Sequence, residues 1–192
     1  MNAAVAILLA STLSAPGPGA EHLLAGARHF RDGRYGEALV EFRVAAALGE
    51  EGARAYAGAS LVKLERFEEA LDAFEGVPRG QDALLDYYRA LACFGAHLYS
   101  CAEDILAGIG DRGGPRIAAE VASLRREIAA QRPRAPAADV IAWYTGRCTA
   151  LREKNRPLLA SAYCREGADL AARRAKLSGT AKPGPAAPAE RP

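Results

Sequence analysis

Residues 26–45 read GARHFRDGRYGEALVEFRVA, and the chain repeats this layout twice at a fixed offset. Residues 58–77 read GASLVKLERFEEALDAFEGV, and residues 90–109 read ALACFGAHLYSCAEDILAGI. At an offset of 32 residues, Gly26, Gly58 and Ala90 align, as do Phe30, Val62 and Phe94. Tyr35, Phe67 and Tyr99 form a third column, Ala38, Ala70 and Ala102 a fourth, and Phe42, Phe74 and Leu106 a fifth. A period of this size signals stacked units, each a helical hairpin that cannot bury its apolar face alone. The small residues fall where two helices cross, and the aromatic residues fill the space beside the crossing.

Outward from these copies the chain reads as helix throughout. Alanine is abundant and alternating runs of Val, Ile and Thr are missing, which favours helix over strand. The spacing predicts hairpins at about 21–48, 52–76 and 81–107, with turns at Asp32-Gly33-Arg34 and Gly95 and a stop at Pro78. A single helix over 116–131 follows. Its Ile117, Val121, Leu124 and Ile128 line one face, while Glu120, Arg125 and Glu127 line the other, which suits a helix closing the end of a stack. After a linker at 132–136, a last hairpin is expected at about 139–153 and 157–176. Its Cys148, Ala160 and Cys164 imitate the repeat loosely, and it is not counted as a copy. Residues 178–192 are rich in Ala, Pro and Gly without apolar periodicity, the composition of a disordered tail.

The first two copies, with Gly, aromatic-x-x-Ala and a second aromatic four residues on, resemble tetratricopeptide repeats. The resemblance covers about 21–109 and is weaker in the third copy; the period is 32 residues against the usual 34. It implies an all-α, right-handed α-solenoid: three TPR-like hairpins and a capping helix over 21–131, then a C-terminal helical hairpin over 137–177. It further implies a concave groove lined by the first helix of each pair, holding a segment of a partner protein. The groove-facing candidates are Leu23, Ala27, Phe30, Arg31, Ala55, Ala59, Val62, Lys63, Tyr87, Leu91 and Phe94. The apolar members serve equally well as packing between repeats.

Ala3–Ala15 is apolar and small, and a Pro/Gly break follows. It is shorter than the roughly 20 residues a spanning helix needs. Residues 1–20 therefore read as a secretory signal peptide, with cleavage between Ser14 and Ala20. The missing Lys or Arg before the apolar core leaves a frayed helix or weak membrane anchor as the alternative. Four cysteines fall in two sequence-local pairs. Cys93 and Cys101 are equidistant from position 97, and Cys148 and Cys164 from position 156. Each pair would staple its own hairpin as a disulfide if the chain is exported; four buried free thiols are the alternative.

Charge is divided unevenly. Glu21–Gln131 holds 13 basic and 18 acidic side chains, whereas Arg132–Lys176 holds 10 basic and 4 acidic. The basic hairpin is either a solvated surface or a docking surface for an acidic partner. Nucleic acid is not indicated, because the basic residues lack interleaved aromatics. Trp143, Tyr144 and Tyr163 are either hairpin core or a contact patch for a glycan or protein. Gly108-Ile109-Gly110-Asp111-Arg112-Gly113 matches the dinucleotide-binding glycine pattern, but a helix rather than a strand precedes it. Neither a nucleophile with its base nor metal-ligand spacing emerges, so no cofactor or metal is expected. The residues point to a non-catalytic scaffold or adaptor of a bacterial envelope, periplasmic or secreted, with a protein partner and no membrane span once the leader is removed. A cytosolic TPR-type chaperone, or an accessory or redox protein using the paired cysteines, are the rival readings.

Overall fold

Four hairpin turns share one backbone solution. Gly33, Glu65, His97 and Asn155 each adopt positive φ, between 54° and 77°. The next amide in each case (Arg34, Arg66, Leu98, Arg156) donates to the carbonyl five residues earlier, at 2.8–3.0 Å. This is a Schellman cap, which satisfies carbonyls that the ending helix leaves unpaired. The carbonyl of that same residue then accepts from Ala38, Ala70, Ala102 or Ala160, opening the second helix. All four alanines are fully buried. The last hairpin thus repeats the geometry of the other three, although Pro157 replaces the aromatic residue that follows the turn elsewhere.

The computed structural model describes residues 17–179, and among them the chain is all-α. The helices are α1 (Pro18–Arg31), α2 (Tyr35–Ala47), α3 (Ala53–Lys63), α4 (Phe67–Ala73), α5 (Ala83–Gly95), α6 (Tyr99–Ile109), α7 (Gly114–Gln131), α8 (Ala138–Glu153) and α9 (Pro157–Gly179). Proline opens α1, α7 and α9, where its missing N–H costs nothing. Asp82 caps α5 by accepting from the amides of Leu84 and Leu85. Helix α4 is shorter than its pattern suggests. The Phe74 and Val77 carbonyls beyond it accept from the Arg89 guanidinium instead of continuing the helix. Residues 178 and 179 close α9, and the rest of the expected tail lies outside the described residues. So does most of the expected leader; its last residues, Pro18–Ala20, form the first turn of α1, with Gly19 buried against Glu50.

At each hairpin crossing, the two facing positions are matched in size. A Cβ on Gly26 would lie 2.7 Å from the Phe42 ring, and one on Gly58 would lie 2.9 Å from the Phe74 ring. The third hairpin places Ala90 and Leu106 at these positions, both fully buried. In the fourth hairpin they are Cys148 and Cys164, with Cα atoms 5.1 Å apart and the sulfurs bonded. Cys93 and Cys101 pair around the third turn at a Cα separation of 5.9 Å.

Consecutive helices pack from α1 to α7, and α5 also contacts α3 and α7. Helix α7 meets α5 and α6 through its buried Val121, Leu124 and Ile128. The α8–α9 hairpin does not extend this series. Helix α9 turns back to lie on α4 and α6, the second helices of hairpins two and three. Two apolar clusters result, one around α2–α5 and one around α5–α9, and Phe67, Leu71 and Leu91 pack against both. The glycine-rich 108–113 segment is the corner between α6 and α7.

Candidate functional site

The last turn of α1, the start of α2, the end of α3 and the first half of α5 bring together Phe30, Tyr35, Lys63 and Tyr88. Phe30 meets Tyr35 edge-on at 5.3 Å and Tyr88 at 5.9 Å between ring centroids. The Lys63 ammonium lies 6.0 Å from the Tyr35 ring and 5.7 Å from the Tyr88 ring, within cation–π range. Burial, followed by the neighbouring Tyr35, raises the Tyr88 phenol above its ordinary pKa, while Arg116 acts in the opposite sense. Tyr87 donates to Glu120 of α7 at 3.3 Å. Its pKa is pushed up to about 12 by burial and then by the Glu120 charge. Leu84, one turn earlier on α5, is exposed. The cluster therefore joins three hairpins and presents a cation, aromatic edges and an exposed leucine together.

The sequence candidates divide at this surface. Ala27, Arg31 and Lys63 are exposed, and Leu23, Phe30, Tyr87, Leu91 and Phe94 are half-buried. Ala55, Ala59 and Val62 are buried. Helix α3 is enclosed by α2, α4 and α5, and its small side chains let those neighbours close over it. Tyr35 and Tyr88 escaped the sequence reading as surface residues. Tyr35 stands in the repeat column beside the hairpin crossing, and Tyr88 belongs to no repeat column.

The basic hairpin finds acidic groups within its own chain. Arg147 donates to both oxygens of Glu68 at 2.7 and 2.6 Å, and the Tyr163 hydroxyl donates to Glu68 at 2.6 Å. Arg156 pairs with Asp72, and Arg165 donates to Asp104 at 2.7 Å. Burial works against ionisation of Glu68, but the hydrogen bonds from Arg147 and Tyr163 prevail and hold its pKa below the usual carboxylate range. Arg132, buried in the linker, reaches Glu103, the Ser100 hydroxyl and Asp169. Glu166, with no exposed surface, accepts from the Ser100 amide at 2.6 Å and so caps α6 from α9. Burial raises the Glu166 pKa, with the Ser100 amide and Arg132 acting in the opposite sense. These pairs assign much of the basic surface to intramolecular docking rather than to an external acidic partner.

A second hub sits where α4 leads into α5. Asp86, buried, accepts from the Gly80 amide at 2.9 Å and pairs with Arg89 and Arg112. Among the described residues no cluster of His, Cys, Asp and Glu is placed to hold a metal ion, and no helix is long and apolar enough to cross a membrane. In comparisons with protein-family models, curated proteins and solved structures, nothing matched the chain.

Proposed function

We propose that this chain is a non-catalytic interaction scaffold, exported to a bacterial envelope, that holds a partner polypeptide against the first helices of its hairpins. In this reading the hairpins form a right-handed, TPR-like solenoid. The observation that carries the proposal is the Phe30–Tyr35–Lys63–Tyr88 cluster. Rigid aromatic groups with a polar handle are the side chains that protein interfaces favour, and the exposed Lys63 ammonium offers a cation to a carboxylate on the partner. Export is supported by the two intra-hairpin cysteine pairs and by the apolar segment at 3–15. The fully buried Cys93 favours a structural staple over the redox alternative.

The test is site-specific photocross-linking in the intact envelope. A cross-linker replacing Leu84 is expected to capture a discrete polypeptide, whereas one replacing Thr149 on α8 is not. Lys63→Gln should remove the adduct while lowering the stability of the purified protein by only about 0.5–1 kcal/mol, the scale of an exposed cation–π contact. Absence of any adduct from position 84 refutes the scaffold reading.

A further inference from the structure

Trp143 is the only tryptophan of the chain, and it stands more than half exposed above an otherwise buried aromatic cluster. Its ring meets Tyr144 edge-on at 4.9 Å and Tyr163 at 5.9 Å, so packing fixes the orientation of the indole. Beneath it lies an open cavity of about 460 Å³. It is lined by the turns of hairpins two and three, including Glu65 and His97, and by Trp143 and Arg147 of α8. Both turn residues hold positive φ and are exposed.

The polar inventory of this cavity restricts what can bind. Its two guanidiniums are already engaged, Arg66 with Glu69 and Arg147 with Glu68, each through two short hydrogen bonds. No free guanidinium or ammonium remains there to hold an anion. Among the described residues, the Glu65 carboxylate, the indole N–H of Trp143 and the Nε2 of His97 have no hydrogen-bond partner, the His97 Nδ1 being engaged with the Tyr99 hydroxyl. Tyr144 and Tyr163 are buried and committed to the His97 carbonyl and to Glu68, so the indole is a single platform rather than a cage for a cation. The site therefore offers one flat apolar face, a free carboxylate acceptor, a free indole donor and an imidazole nitrogen in a space of ligand size. That combination suits an uncharged ring with an apolar face and hydroxyls at its edge. We infer that this cavity is a glycan subsite in which one neutral pyranose stacks on Trp143 and hydrogen-bonds Glu65. This inference is independent of the polypeptide surface on α1, α3 and α5.

Because the chain has one tryptophan, its emission reports this site alone. The full-length protein is titrated with chitotetraose, cellotetraose and maltotetraose, each to about 10 mM, where weak sites saturate. At least one is expected to give a saturable blue shift and to protect the indole from acrylamide. Calorimetric affinity for that sugar should fall about tenfold in Trp143→Ala, the scale of a lost stacking contact. Glu65→Gly provides the control for folding. Glycine is the preferred residue at this turn position, so the variant should unfold at the same or a higher temperature while binding sugar more weakly. The inference is overturned if none of the three sugars shifts the emission. It is equally overturned if only choline, arginine or a polypeptide shifts it, or if Glu65→Gly binds unchanged.

Discussion

Replacing Gly58 by alanine tests whether facing positions at a helix crossing are matched in size. The added methyl would lie 2.9–3.1 Å from three carbons of the Phe74 ring. That ring is only 4% exposed and carries the Arg89 guanidinium 5.1 Å above it, so it has little room to retreat. Overpacking of this kind costs about 1–3 kcal/mol, while alanine in place of helical glycine returns about 0.8–1 kcal/mol. The net expectation is a loss of about 0–2 kcal/mol. Phe74→Leu alone should cost about 1–2 kcal/mol, through the cavity it leaves. The double variant Gly58→Ala/Phe74→Leu installs the Ala90–Leu106 pairing of the third hairpin in the second. It should recover about 1–2 kcal/mol relative to the sum of the single changes. Urea unfolding of the four proteins closes the cycle. Additivity within about 0.5 kcal/mol would mean that the two positions do not share one space, and the reasoning about crossings would fail.

Three further outcomes are expected. Cys148→Ser should lower stability by about 3 kcal/mol through loop entropy and shift the thermal midpoint downward, as measured by circular dichroism. Asp86→Ala strips a buried carboxylate from Arg89, Arg112 and the Gly80 amide; it should cost about 3–5 kcal/mol in urea unfolding, more than removing an exposed charge such as Glu37. Acidification should loosen the α8–α9 hairpin. Because the Glu68 pKa is lowered on folding, its contribution is complete above the ordinary carboxylate pKa and is lost as pH falls through the lowered folded value. Limited proteolysis of the 132–137 linker should therefore accelerate at acid pH, and Glu68→Gln should flatten that dependence. Glu166 has the opposite sign: its folded pKa is raised, so its contribution is complete below the ordinary value and fades as pH rises.

The repeat period exposed the hairpins because the interactions that build each one are local. The columns at 38, 70 and 102 are the fully buried alanines, and every predicted helix start or end falls within three residues of the observed one. What periodicity could not reveal was the placement of α8 and α9. Their docking rests on contacts between residues 47 to 95 apart, such as Tyr144–His97, Arg165–Asp104 and Tyr163–Glu68, and no local pattern encodes a pairing across that distance. A signal for it was nonetheless present in the opposite charges of Arg132–Lys176 and the preceding body. Read as complementarity within one chain, that asymmetry would have pointed to Glu68, Asp72, Glu103 and Asp104. The burial of Ala55, Ala59 and Val62 has a different reason. A first helix made of small residues is engulfed by its neighbours rather than displayed.

The first cysteine is bonded to the second, 8 residues on, and the third to the fourth, 16 residues on. A polypeptide emerging from its N-terminus would present Cys93 and its mate Cys101 together before Cys148 appears. Oxidation in order of emergence therefore yields the native connectivity directly, with no wrong bridge to be undone.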